Sequence, residues 1–199
     1  MMFFGSLTKR NVALAISIAL FCVCALMAAT RSDAAFTEDS QYELGIRYGY
    51  GQTCKAHEKL YFNTVLPRWG VFLTQADNRI LGKLRFSLLV EGLLGSVADG
   101  NTGWNIGFTP LLKISYPMGR VLTYIEGGAG IVWENIDSIS YAHCFNFSPQ
   151  IGAGVDIKII NNFALSLAYR FQHTSNAGLY PENPGVNSNY FMAGIAYYY

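Results

Sequence analysis

The sequence predicts an all-β protein, an eight-stranded antiparallel transmembrane β-barrel. Three observations carry this. Past residue 34, apolar side chains alternate with polar or small ones at period two, with no helical spacing. Many of the alternating segments run near ten residues or more, long enough to cross a bilayer at a tilt. Short turns alternate with longer loops, as in a barrel whose turns face one compartment and whose loops face the other. The 20 Gly and 13 Tyr fit small residues inside a narrow barrel and aromatic girdles at the bilayer interfaces.

The N-terminus comes first. Lys9 and Arg10 precede an apolar run from Val12 to Ala29, and small residues follow at Ser32-Asp33-Ala34. That order reads as a secretory signal peptide over residues 1–34, leaving 35–199 as a single barrel domain. The competing reading is one membrane helix, but no basic stop-transfer cluster follows the run. Cys22 and Cys24 follow Phe21 and Val23, where a lipidated cysteine would follow a small residue. Cleavage after Ala34 takes basic residues from 14 to 11 and acidic ones from 13 to 12, a net charge of −1. Nothing in that balance asks for nucleic acid. Cys54 and Cys144 remain in a chain exported to an oxidising compartment, and one disulfide between them stays open.

The strands then follow in order. Tyr42–Tyr50, Leu60–Leu66, Leu84–Val90, Trp104–Tyr116, Val121–Trp133, Phe145–Ile159, Phe163–His173 and Asn187–Tyr199 are predicted. The clearest is the seventh, where Phe163, Leu165, Leu167, Tyr169 and Phe171 share one face and Ala164, Ser166, Ala168, Arg170 and Gln172 the other. Short turns fall near Asp77-Asn78, Pro117-Met118-Gly119 and Asn161-Asn162, and longer loops follow Tyr50, Ala98, Trp133 and His173. The last strand alternates through Phe191, Ala193, Ile195 and Tyr197 to an aromatic final residue, Tyr199, which resembles the terminal strand of bacterial outer-membrane proteins. This favours the bacterial outer membrane over a soluble barrel or sandwich, in which the same apolar faces would turn inward. Glu43, Arg47, Arg85, Glu91, Lys113, Glu126, Asp156 and Arg170 fall on the polar face, with acids and bases in equal number. Eight strands leave an interior just wide enough for side chains, so these charges read as a structural network and not as a pore.

One segment carries chemistry. Residues two apart in a strand project from the same face, so His173 and Ser175 are neighbours, and an imidazole beside a hydroxyl can act as its general base. Both continue the outward parity of Phe163 to Phe171, so the pair faces lipid at the outer end of strand seven. The stretch Tyr169-Arg-Phe-Gln-His-Thr-Ser-Asn-Ala-Gly178, followed by Asn183-Pro-Gly-Val-Asn187, resembles the lipid A 3-O-deacylase family known as PagL.

The resemblance implies an outer-membrane enzyme that hydrolyses an ester-linked (3-O) acyl chain of lipopolysaccharide, with Ser175 as nucleophile and His173 as base. The family places a glutamate twelve residues after the serine to orient the histidine, and here that position is Asn187. An amide oxygen can hold an imidazole, as in Cys-His-Asn proteases, without the charge of a carboxylate. Glu182, in the same loop but out of register, is the alternative orienter. Asn176 matches the family's oxyanion-binding asparagine, with backbone N–H groups around Gly178 as further donors. No cofactor is implied and no metal: His57 and His143 stand near Cys54 and Cys144, but the spacings match no zinc pattern. Lipopolysaccharide (lipid A) in the outer membrane is the expected partner, and the sequence neither requires nor forbids a homodimer. A non-enzymatic small barrel serving adhesion or membrane integrity is the alternative, favoured by the departure at Asn187.

Overall fold

The computed structural model describes residues 39–55, 59–74, 83–98, 102–137, 144–181 and 185–199. The predicted leader, the turn at Asp77-Asn78, His57, His143 and Glu182 lie outside them. Eight strands are formed: β1 (Tyr42–Lys55), β2 (Tyr61–Phe72), β3 (Arg85–Ala98), β4 (Gly103–Met118), β5 (Val121–Ile136), β6 (Phe145–Ile160), β7 (Phe163–Thr174) and β8 (Val186–Tyr198). Each pairs antiparallel with the next, and β1 pairs with β8, closing the barrel and leaving no edge.

The predicted fold class and face assignments hold, while several strands run longer than expected. Strand β2 does not stop at Leu66 but passes through Pro67 to Phe72. The ladder to β3 is interrupted at Leu66 and Pro67, while that to β1 continues with Pro67 opposite Ile46. The missing N–H is thus lost on one side only. Two turns fall where expected: Gly119 (φ 58°) opens the β4–β5 connection, and Asn161 (φ 47°) opens β6–β7 in the left-handed region that asparagine tolerates.

Phe163, Leu165, Leu167 and Tyr169 are exposed on the outer wall, as the alternation requires. At the turn end Tyr42 stacks between Trp69 and Tyr199, and at the loop end Trp104 and Trp133 are exposed, so aromatic bands stand at both interfaces.

The interior is layered. At mid-height Glu126 accepts from Arg47 Nη1 at 2.9 Å, Arg68 Nη2 at 2.8 Å and Arg170 Nη2 at 2.6 Å. Glu91 pairs with Arg68 and Arg170, and Glu43 with Arg68 Nε at 3.1 Å and Lys113 Nζ at 2.7 Å. Asp156 accepts from Lys113 at 3.2 Å and from the Tyr198 hydroxyl at 2.5 Å. A buried ion left alone costs several kcal/mol, and here each carboxylate meets at least one cation. Arg68 was missing from the expected network because the predicted second strand ended two residues before it. Arg85, by contrast, sits apart at the turn end, donating to the Ser40 carbonyl at 2.6 Å and lying 3.6 Å from the centre of the Phe72 ring.

Towards the loops the interior changes character. Leu60, Phe62, Leu66, Leu93, Val132, Ile136, Tyr190 and Met192 form an apolar cluster. Beside it Asn105, Glu134, Asn146, Ser148, Gln150, Gln172 and Thr174 are buried on β4 to β7.

Cys54 and Cys144 are both free and exposed, so the disulfide that the sequence left open is not formed. Cys54 is the penultimate residue of β1 and Cys144 precedes β6, and β8 and β7 stand between those strands on the shorter way round the wall. That is three strand spacings of about 4.8 Å each.

Candidate active site

Strand β7 delivers His173 and Ser175 to the outer rim. The β6–β7 register runs unchanged from Ile157↔Leu165 to Gln150↔Gln172, and the Phe147↔Ser175 bridge continues it past the formal strand end. Phe147 N–H donates to the Ser175 carbonyl at 2.7 Å, and Ser175 N–H donates to the Phe147 carbonyl at 3.0 Å. Both bonds hold the backbone of Ser175 in the ladder, so its side chain stays in the outward series with His173. Both residues are half-buried.

On the other side β8 places Asn187 directly opposite His173. His173 Nδ1 and Asn187 Oδ1 are 2.6 Å apart. An amide oxygen only accepts, so Nδ1 carries the proton and Nε2 keeps its lone pair, the tautomer a general base requires. Gly185 (φ 64°) packs against the same ring: a Cβ there would lie 3.1 Å from His173 Cε1 and 3.6 Å from Nε2. A glycine at this point leaves the basic edge of the imidazole uncovered. The β7–β8 register, extended one step beyond Thr174↔Val186, sets Gly185 opposite Ser175.

Beyond Ser175 the chain turns sharply through Ala177 (φ 53°) and Gly178 (φ 81°). Asn176 organises the turn. It is buried, its Oδ1 accepts from Gly178 N–H at 2.8 Å and its carbonyl accepts from Leu179 N–H at 3.1 Å. The Gly178 N–H is therefore occupied by Asn176 Oδ1, and the amide Nδ2 is the donor end of that side chain. On the far side of Asn187, Cys54 occupies a bulge of β1 between Thr53 and Lys55, its thiol 3.5 Å from the Asn187 carbonyl oxygen.

Of the residues singled out from the sequence, the structure thus brings His173 and Asn187 into contact, sets Ser175 in line with His173 and places Asn176 beneath it. No group of His, Cys, Asp and Glu able to hold a metal occurs among the described residues. Gly185 stood in the quoted Asn-Pro-Gly turn without a role, and its positive φ beside the imidazole supplies one. Glu134 and Asn146 are buried behind the rim, where Asn146 Nδ2 donates to Glu134 Oε2 at 3.1 Å. Glu134 shares the inward parity of Glu126 and was within reach had the fifth strand been extended past Trp133.

The model of the family described as lipid A 3-O-deacylase (PagL) matches residues 67–196. Among solved structures, that of the outer membrane enzyme PagL is similar with a TM-score of 0.56 at 19% identity, covering 75% of this chain and 97% of that one. Neisserial surface protein A is similar with a TM-score of 0.55 at 12% identity (79% and 97% covered). The attachment invasion locus protein Ail of Yersinia pestis is similar with a TM-score of 0.54 at 13% identity (80% and 99% covered). No curated protein matches the sequence. These three structures share the barrel, an architecture that by itself selects no activity. The family match spans well over half of the chain and takes in the His-x-Ser-Asn rim and its β8 partner, and on that ground this outer-membrane barrel belongs to the lipid A 3-O-deacylase (PagL) family.

Proposed function

We propose that the chain is a lipid A deacylase that hydrolyses the 3-O ester through an acyl-enzyme intermediate on Ser175. His173 Nε2 takes the Ser175 hydroxyl proton as Oγ bonds to the ester carbonyl carbon. The tetrahedral oxyanion is met by donors at Asn176, and collapse breaks the bond to the sugar oxygen, which leaves with the proton from His173. Water then attacks the acyl-serine with His173 again as base, releasing the fatty acid and restoring both groups.

The observation that carries this reading is the 2.6 Å contact between His173 Nδ1 and Asn187 Oδ1 on the lipid-facing wall. It supports a base role for the imidazole, and the rim position of the pair suits an ester-linked acyl chain near the headgroup. Asn187 does the orienting in place of a carboxylate; lacking charge, it stabilises the imidazolium less. Mass spectrometry of lipid A from cells expressing the protein tests the proposal. Loss of one hydroxyacyl group with the intact chain and its retention with Ser175→Ala support the enzyme. Unchanged lipid A with both leaves the non-enzymatic barrel, the reading that the amide at 187 favours.

A further inference from the structure

Two asparagines face lipid beside the candidate site without serving it. Strands β2, β4, β6 and β8 all begin at the loop end, and the second outward residue is Ile106 in β4 and Phe147 in β6 but Asn63 in β2 and Asn189 in β8. Each asparagine is turned by a tyrosine hydroxyl: Tyr169 donates to Asn189 Oδ1 at 2.7 Å, and Tyr48 donates to Asn63 Oδ1. The oxygen is occupied both times, so each amide presents its Nδ2 donors. Gln52 lies between them: it is directly opposite Asn189, and Asn63 is opposite Tyr50, two residues along β1. All three side chains are half-buried on the outer wall.

None of the three side-chain amide nitrogens has a hydrogen-bond partner among the described residues. An amide N–H left unmet against hydrocarbon is costly, so a wall carrying three such groups calls for acceptors outside it. Neutral donors suit a carbonyl oxygen, whereas a phosphate is met by cations. Asn189 is four residues along β8 from Gly185, the position opposite Ser175, which is about 13 Å at 3.3 Å per residue. That is too far for the carbonyl that Ser175 attacks. It suits the ester or amide carbonyls of the other acyl chains of the same lipid, laid against the wall from β8 to β2.

We propose that Asn189, Gln52 and Asn63 form a lipid-facing subsite that donates hydrogen bonds to acyl carbonyls of the substrate other than the one hydrolysed, and so holds the lipid in the register that brings one ester to Ser175. Tyr169 and Tyr48 are positioning residues, acting through the two asparagine oxygens. The inference rests on the deacylase reading above.

The test compares two substrates on the full barrel in detergent: purified lipopolysaccharide, and a p-nitrophenyl fatty-acid ester, which has no second acyl chain. Heat-modifiable gel mobility reports the folded barrel. Asn189→Leu and Asn63→Leu keep the volume and remove the donors, and Tyr169→Phe removes only the hydroxyl. We expect each leucine variant to raise KM for lipopolysaccharide about three- to tenfold with kcat within twofold, the worth of one neutral hydrogen bond, and the loss to be confined to that substrate. Tyr169→Phe should raise the same KM by a smaller factor and add nothing in the Asn189→Leu background. An unchanged KM for lipopolysaccharide, or an equal loss on the p-nitrophenyl ester, overturns the subsite. So does a KM rise present in phospholipid vesicles and absent in detergent, which assigns the donors to phospholipid carbonyls. A parent chain that hydrolyses neither substrate overturns the deacylase reading and the subsite with it, whereas a parent active on both, with Asn189→Leu and Asn63→Leu unaltered, overturns the subsite alone.

Discussion

The barrel interior answers the same problem, buried polar groups, in two ways. At mid-height four carboxylates and four cations satisfy one another in a layer buried on all sides. Near the loops amides replace the cations, Glu134 stands among Asn105 and Asn146, and His173 is oriented by a neutral Asn187. The first arrangement holds the wall together. The second leaves side-chain dipoles without an opposing charge, which on the proposed mechanism suits a site where an oxyanion and an imidazolium appear for an instant. A structural layer and a responsive one, stacked in one short barrel, should fail differently.

The largest expected difference is at the rim. Ser175→Ala should reduce deacylation at least about a thousandfold while heat-modifiable mobility is unchanged, the signature of a lost nucleophile. Removing Glu126 should do the reverse. Glu126→Ala leaves Arg47 without a carboxylate and takes one partner each from Arg68 and Arg170, which keep Glu43 and Glu91, and should lower unfolding stability in urea by about 3 kcal/mol, with the folded fraction still active at the rim. If Glu126→Ala abolished activity in the folded fraction, the two layers would not be separable.

Smaller effects sharpen the division. Gly185→Ala adds left-handed strain of about 1–2 kcal/mol and a methyl group 3.1 Å from His173 Cε1, so kcat should fall more than stability. Asn187→Ala should lower kcat about tenfold, the worth of one hydrogen bond of about 1.4 kcal/mol, and Asn187→Glu should restore or exceed the parent rate. A silent Asn187→Ala together with a damaging Glu182→Ala would reassign the orienter. Smallest of all, Cys54→Ser should change the rate less than twofold, and reductant should leave gel mobility unaltered, since both thiols are free.

The wall was legible because period-two alternation states which face of each strand meets lipid, and β7 reads it without exception from Phe163 to Phe171. Strand ends were harder. The predicted second strand stopped at Leu66 and so left out Arg68, although Pro67, whose N–H is lost on one side alone, does not end the strand. Glu134 lay one residue past the predicted end of its strand. At the site, the His173–Ser175 line follows from spacing within one strand, whereas the Phe147–Ser175 bridge depends on the β6–β7 register, which the Asn161-Asn162 turn sets and side-chain pattern does not state. The Cys54–Cys144 question was of the same kind, turning on which strands are neighbours.

The outward direction of His173 has a kinetic consequence. A barrel filled at mid-height offers no route to this pair through its lumen, so on the proposed activity substrate would arrive sideways, by diffusion within the leaflet. Encounter is then two-dimensional: the rate should follow the mole fraction of lipopolysaccharide in the surface, and diluting a suspension of membranes with buffer should leave turnover per molecule unchanged. Adding inert amphiphile should slow it at constant bulk concentration. Both products of the proposed reaction are themselves amphiphiles and would begin their lives in the same plane, as the barrel's nearest neighbours.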